Sequence, residues 1–267
     1  MKKNQTCISL LLLTILLFQA ISCKKIAEEI LKDPCADIKF CNIKSYSFPG
    51  IEHFSQPNTA TFSYDSYGNL LRVDNTNIGT GYPNMVFRYD ANHRLSEMIE
   101  PYDNGYFESW SKYYYDASGR IAFDTTYVFG IVSPSWPPVG NYFDKKVNVY
   151  TYDATCRIIK VKTTSIISPG AQYPEENYTY DANGNLSYPG APALVYDNKV
   201  NIHRTNKVLM FIDRDFSMNN PYTATAYNSF GLPSIIPHIG ASPFPTVAFL
   251  RRPIDYSTFV YQCDAAK

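Results

Sequence analysis

The chain has 267 residues with 24 basic and 24 acidic side chains, so its formal net charge is zero. A protein without an excess of positive charge has no field that attracts nucleic acid, and we expect no nucleic-acid partner. Its 23 Tyr, 16 Phe and 18 Pro favour strands and turns over helices and predict an all-β fold.

The first segment, residues 1–22, is typical of a secretory signal peptide. Lys2 and Lys3 give a positive start, and an almost unbroken apolar stretch follows from Ile8 to Phe18;. That stretch is too short to cross a bilayer, which takes roughly 20 apolar residues. The next residues, Ala20-Ile-Ser-Cys23, resemble the lipobox of bacterial lipoproteins. The resemblance implies cleavage before Cys23 and lipid attachment at that residue.

By that resemblance, the mature protein is anchored in the cell envelope through its lipid. Each buried methylene of an acyl chain contributes about 0.8 kcal/mol, and two such chains already give stable anchoring. We expect the outer membrane, and the residues leave open its periplasmic face or the cell surface. Residues 23–40 are then the lipidated cysteine and a tether, and residues 41–267 a single β-domain.

Export places the four cysteines after Cys23 in a compartment where disulfides form and persist. Cys41 opens the first expected strand and Cys263 closes the last, so a bond between them would tie the ends of the domain together. The local pair Cys35–Cys41 is the alternative, and the sequence leaves both open. No histidine lies close in sequence to a cysteine pair, and we expect no metal site.

A short motif recurs along the middle of the chain. The best copies are Phe62–Leu70, Tyr113–Ile121 and Tyr178–Leu186, which share Tyr-Asp-x-x-Gly followed two residues later by Leu or Ile. A repeat every 20 to 50 residues indicates one supersecondary unit copied along the chain. Weaker copies lie at Phe87–Leu95, Tyr150–Ile158, Tyr196-Asp197 and Tyr227–Leu232.

Each copy predicts a β-hairpin. The alternation Phe62-x-Tyr64 puts both rings on one face of a strand;. The aspartate then starts a turn by accepting a backbone N–H, and the glycine three residues later supplies a positive φ. We therefore assign structural turn roles to three pairs of residues: Asp65 and Gly68, Asp116 and Gly119, and Asp181 and Gly184.

This motif resembles the YD repeats of Rhs-type bacterial proteins and of small repeat-bearing lipoproteins of unassigned function. The resemblance covers about residues 60–200. It implies a repeated-hairpin architecture and does not indicate which activity the protein has. Because one hairpin cannot bury its apolar face, successive copies must pair edge to edge. We expect an antiparallel meander of repeated β-hairpins, strongly curled or closed into a soluble barrel-like sheet. His93 and Cys156 replace the turn glycine, so those two turns must differ or tolerate strain;.

No catalytic constellation is recognisable, and we assign neither a catalytic residue nor a cofactor. The repeat aspartates already have a turn role, which argues against their use as a glycosidase pair. Trp110 and Trp136 are candidate ligand-facing aromatics, because such rings stack on sugars or contact protein partners. The alternative is that they cover the core. The run Val208–Ile212 predicts a strand or a short helix packed on the sheet.

We therefore predict a lipid-anchored binding or adhesion protein whose ligand is a glycan or an envelope protein. A purely structural envelope component is the second hypothesis, and a hydrolase that uses loop carboxylates is the third. Because a repeated sheet is a scaffold, we expect the ligand to contact the long loops.

Overall fold

The computed structural model describes residues 35–36, 38–49, 56–187, 194–239 and 247–263. The signal peptide, Cys23 and most of the tether lie outside the described residues. No helix within these ranges is long and apolar enough to cross a membrane.

The structure is mostly antiparallel β, which confirms the predicted fold class. Among the described residues, helix is confined to a 3-10 turn at Ile202–Thr205 and to α1 at Lys207–Asp213. The strands are β1 (Asn42–Phe48), β2 (Asn58–Tyr64), β3 (Leu70–Asn75), β4 (Met85–Tyr89), β5 (Leu95–Pro101), β6 (Tyr106–Tyr115), β7 (Ile121–Ile131), β8 (Tyr142–Tyr152), β9 (Ile158–Ser165), β10 (Glu176–Asn177), β11 (Thr179–Tyr180), β12 (Leu186–Ser187), β13 (Ala226–Tyr227), β14 (Pro233–Ile235), β15 (Ala248–Phe249), β16 (Arg252–Pro253) and β17 (Thr258–Gln262).

Thirteen strands form one sheet, in the order β10-β9-β8-β7-β6-β5-β4-β3-β2-β1-β17-β14-β13. From β1 to β10 every strand pairs with its neighbours in the chain, as a meander requires. The last strand, β17, returns to pair with β1. Among the described strands this order has two ends, β10 and β13, so they form the open version of the expected meander. Two further ladders, β11–β12 and β15–β16, stand apart from it.

The motif residues form the hairpin turns, and the β6–β7 turn shows how. The Asp116 carboxylate accepts the backbone N–H of Arg120 at 2.9 Å, and the N–H of Gly119 donates to the Asp116 carbonyl at 3.0 Å. Gly119 has a φ of +77°. Gly68 and Gly184 have φ values of +76° and +79°, so all three glycines take the left-handed conformation that the turn requires.

The two copies without glycine keep the same backbone. His93 and Cys156 have φ values of +58° and +61°, a conformation that costs a non-glycine residue free energy. Each side chain has a compensating contact. The His93 ring lies 4.1 Å from the ring of Tyr67, and Cys156 forms a disulfide with Cys35.

The motif tyrosine joins each hairpin to the preceding one. The Tyr115 hydroxyl donates to the carbonyl of Leu95 at 2.7 Å. The guanidinium of Arg94, which pairs with Asp90 at 2.7 Å, lies 4.4 Å from the centre of the Tyr115 ring. The same hydroxyl bond runs from Tyr64 to Ile43, Tyr89 to Leu70, Tyr152 to Ile121 and Tyr180 to Ile158.

The copy at Tyr196-Asp197 departs from the hairpin pattern, because it forms no strand in the structure. Its aspartate still accepts the backbone N–H two residues on, from Lys199, and also accepts that of Asn220, both at 3.0 Å. The run Val208–Ile212 forms α1 and not a strand. Asn206 caps this helix by accepting the N–H of Val208 at 3.0 Å, and the helix buries its apolar side in the main core cluster.

Two disulfides tie the fold together. One joins Cys41 to Cys263 and so links the paired strands β1 and β17 at the two ends of the domain. The other joins Cys35 to Cys156 in the β8–β9 turn, 121 residues away. The alternative local pair Cys35–Cys41 is therefore wrong, because both of its cysteines have distant partners.

Candidate ligand cleft

The inward face of the sheet changes character along the chain. In β2–β5 it carries apolar core residues such as Phe62, Val73, Phe87 and Met98. In β6–β9 the same face carries mainly polar side chains, arranged in rows across the strands. One row is Tyr113, Asp124, Asn148 and Thr163, and the next is Ser111, Thr126, Lys146 and Ser165.

These rows form the floor of a cleft with a volume of about 730 Å³. Small-molecule sites commonly have volumes of about 300–1,000 Å³. The end of α1 closes the cleft toward the hairpin turns, where the Phe211 ring lies 5.4 Å from that of Tyr113 and 5.1 Å from that of Tyr150. Tyr173 and Tyr178 line the side nearest β10.

Asp124 is the central acid of the floor, and only 2% of its surface is exposed. It accepts hydrogen bonds from the Thr126 hydroxyl at 2.6 Å, from the Asn148 amide at 2.9 Å and from the Tyr150 hydroxyl. Burial raises the pKa of Asp124, although these hydrogen bonds act in the opposite direction;. The carboxylate therefore orients the surrounding donors.

The network extends from Asp124 across the floor. The Thr163 hydroxyl donates to the Asn148 side-chain oxygen at 2.7 Å, and the Ser111 and Thr126 hydroxyls lie 2.7 Å apart. Side chains held by several hydrogen bonds lose little freedom when a ligand binds, so less binding free energy is lost to ordering them. The cleft is a preorganised polar surface.

Two arginines stand on the wall of the cleft. Arg214 follows α1 directly and pairs with Glu176. Arg251 lies in the β15–β16 turn and pairs with Glu100 at 3.2 Å. Asp213, which directly precedes Arg214, links the two arginines, because its carboxylate accepts the backbone N–H of Arg251 at 2.8 Å. The end of α1 thereby holds the β15–β16 turn over the cleft.

A buried histidine contacts Asp213 from behind this wall. His203 is buried, and its Nε2 lies 2.8 Å from the Asp213 carboxylate. Burial alone would lower the pKa of His203, but the hydrogen bond to Asp213 and the charge of Asp215 raise it above its usual value;. Within the described ranges, no group of three or more His, Cys, Asp or Glu side chains is arranged to hold a metal ion.

The predicted ligand-facing tryptophans lie away from this cleft. Trp110 pairs across β5–β7 with Ile99 and Tyr127, on the sheet face opposite Ser111. It has no exposed surface, and its indole N–H donates to Glu97 at 3.1 Å. The expectation that Trp110 faces a ligand is therefore wrong. Trp136 packs edge-on against it, with ring centroids 6.0 Å apart, and keeps part of its surface exposed.

The other predicted site residues lie at the turn end of the sheet. The turn residues Asp65, Gly68, Asp116, Gly119, Asp181 and Gly184 all form hairpin turns. A second cavity of about 290 Å³ lies there, lined by motif tyrosines and arginines that already bond to one another. Sequence reasoning missed the cleft residues. The available signal was polar residues at alternate positions of β6–β9, where the earlier strands have apolar ones.

Comparison with known proteins adds only distant likenesses. No family model and no curated protein matches the chain. Among solved structures it is similar to a crystal structure of TcdB2-TccC3-Cdc42, with 15% identity over 49% of this chain and 9% of that one, and a TM-score of 0.23. It is also similar to a mutant Tc holotoxin pore of Photorhabdus luminescens, with 14% identity over 73% of this chain and 11% of that one, and a TM-score of 0.24. This chain thus spans about a tenth of those chains, and such values carry no argument about overall shape or activity.

Proposed function

We propose that this protein is a lipid-anchored binding protein of the cell envelope and that it holds a glycan in the cleft over β6–β9. The observation that carries the proposal is the hydrogen-bonded polar floor, on a sheet face that is apolar elsewhere. A polar surface inside a concavity is costly unless it serves a ligand or water.

The chemistry of the lining suits a sugar. Sugar rings present many hydroxyls, which both donate and accept, and they also have apolar faces that pack on aromatic rings. The floor offers hydroxyl and amide groups from Ser111, Thr126, Asn148 and Thr163. Tyr173 on the wall is 36% exposed and can pack against a ring. A protein partner would instead be expected to bury a surface with an apolar core, on the order of 800 Å² on each side.

The proposed anchor is compatible with this cleft. The Cys35–Cys156 disulfide fixes the tether at Cys35 to the β8–β9 turn. Phe211 lines both the turn-end cavity and the cleft, and it separates the cleft from the turns. The tether is therefore held on the turn side of Phe211, and the cleft lies on the other side of that ring.

Glycan binding is tested by applying the full chain, purified in detergent, to a glycan array. We expect retention on a defined set of glycans. Thr163→Val keeps the side-chain shape but removes a hydroxyl of the floor, and it should weaken that retention. Thr125→Val, on the opposite face of β7, is the matched control and should bind like the parent. Retention on no glycan, or an unchanged Thr163→Val variant, would contradict the proposal and favour a structural role.

Anchoring is tested separately by metabolic labelling with a fatty acid. Cys23→Ala should abolish the label and leave an unprocessed or soluble form. A mature N-terminus found by mass spectrometry at any residue other than Cys23 would refute the anchor and leave the cleft proposal standing.

A further inference from the structure

The cleft has more unused hydrogen-bond donors than unused acceptors. An arginine has five N–H donors. Within the described ranges, Arg251 uses only Nη1, toward Glu100, and Arg214 uses only Nη1 of its side chain, toward Glu176 and Tyr178. Among the described residues, Nε and Nη2 of both arginines thus have no hydrogen-bond partner. The side chains are accessible from the cleft, with exposures of 51% for Arg251 and 24% for Arg214.

The buried acids of the same wall, in contrast, are already satisfied by the protein. Asp124 accepts three side-chain hydrogen bonds. Asp213 accepts from two backbone N–H groups and contacts His203. Asp215 accepts the N–H of Ser217 at 2.8 Å and the Asn201 amide at 3.2 Å. A ligand must therefore bring acceptors to the arginines.

The two arginines are held near one another by the fold. Asp213 closes the end of α1 directly before Arg214, and its carboxylate fixes the backbone of Leu250 at 2.7 Å and that of Arg251 at 2.8 Å. Glu100 raises the pKa of Arg251, while the charge of Arg214 acts against it. The two guanidiniums thus lie within electrostatic range of one another. Each is paired with one glutamate but keeps further N–H donors, from which an anion can accept hydrogen bonds.

We infer that Arg214 and Arg251 form an anion-binding subsite of the cleft and that the glycan it takes is acidic, bearing a carboxylate or a sulfate on the sugar. This inference rests on the proposed function. Arginine is suited to both groups, because its planar fork matches two oxygens at once. The neutral part of the glycan then lies along the Asp124–Asn148 row.

The subsite is tested by calorimetric titration of the full chain in detergent with two pairs of probes. Oligogalacturonate is compared with its methyl ester, and sulfated dextran oligosaccharide with unsulfated dextran. We expect one acidic probe to bind at least roughly tenfold more tightly than its neutral partner, the loss typical of an unmade charged contact. Added salt should weaken that binding, because charge attraction is screened.

Variants separate the subsite from a general charge effect. Arg251→Gln and Arg214→Gln should each remove most of the preference for the acidic probe. Arg251→Lys keeps the charge beside Glu100, and hence the fold, but loses the fork, so its preference should be intermediate. Arg72→Gln is the matched control, since Arg72 is also ion-paired, with Asp74 at 2.7 Å, but lies outside the cleft. It should bind like the parent.

The outcomes distinguish this inference from the function on which it rests. If the neutral and acidic members of both pairs bind equally, glycan binding stands and the anion subsite is overturned. If Arg251→Gln, Arg214→Gln and Arg251→Lys all keep the parent's preference, the subsite is also overturned. If neither member of either pair binds, the anion subsite is overturned, and the glycan array decides the function on which it rests.

Discussion

At the scale of single residues, the repeat motif has a physical explanation at each position. The aspartate caps the turn, the glycine takes a positive φ, and the tyrosine bonds to the neighbouring hairpin. The sequence alone predicted the first two roles, because they act within one turn. The third could not be predicted, since the bond from Tyr115 to Leu95 connects residues of different repeats and depends on strand register.

The turn glycine offers the simplest test at this scale. Gly119 has a φ of +77° and no atom within 4 Å of an added Cβ, so a substitution there is opposed by backbone strain and not by crowding. Gly119→Val should cost about 1–3 kcal/mol in denaturant melts. Gly170 also has open space but no positive φ, and Gly170→Val is the matched control. Equal stability of the two variants would contradict the assigned turn.

His203 predicts a pH dependence of stability. Its folded pKa is raised, so the folded state binds the proton more tightly than the unfolded state, whose histidine pKa is about 6.5. The stabilising contribution is complete below that pH and is lost as the pH rises through the folded pKa. Denaturant melts should show this decline, and His203→Gln should reduce it. Identical slopes for His203→Gln and the parent would refute the role of His203.

At the scale of elements, the tyrosine bonds make each hairpin depend on the one before it. Tyr115→Phe removes the hydroxyl that donates to Leu95 and should cost about 0.5–1.5 kcal/mol, the net value of one hydrogen bond. Tyr114→Phe is the matched control, because the Tyr114 hydroxyl makes no hydrogen bond within the described ranges and its ring stacks on Phe123. If both variants melt like the parent, the ladder contributes nothing to stability.

Elements with a strong local signal were predictable, and elements that depend on packing were not. The best three copies predicted hairpins because turn chemistry and strand alternation agree there. The run Val208–Ile212 left strand and helix open, since a short apolar run fits either. The Asn206 cap and the buried side of α1 decide for the helix, and the burial depends on the surrounding sheet.

At the scale of the whole molecule, the two disulfides join segments that are distant in sequence. Cys41 and Cys263 are 222 residues apart, and a bond across so long a loop removes much of the freedom of the unfolded chain. The double variant Cys41→Ser with Cys263→Ser should lose about 2–5 kcal/mol. The measurement is a guanidinium melt, with the parent in reductant as a comparison. An unchanged midpoint would show that strand pairing alone holds the ends.

The cleft is the feature that we did not predict from the sequence. Most of its floor consists of serine, threonine and asparagine residues around Asp124, on four different strands. Only the register places Ser111 beside Thr126 or Asn148 beside Asp124. The sequence favoured tryptophans as ligand-binding residues because such rings often bind ligands. Trp110, however, is buried in a small hydrophobic cluster on the opposite face of the sheet. The sequence of each strand shows only that its alternate residues are polar, and the strand register decides which of them meet in the cleft.

The most direct test of the central claim is to map where a bound glycan contacts the protein. Amide NMR shifts would be recorded on the isotopically labelled full chain in detergent while the best array glycan is added. We predict that the shifts concentrate on β6–β9 around Asp124 and Asn148 and at the end of α1. Shifts confined to the opposite face around Trp136, or to the hairpin turns, would contradict the account.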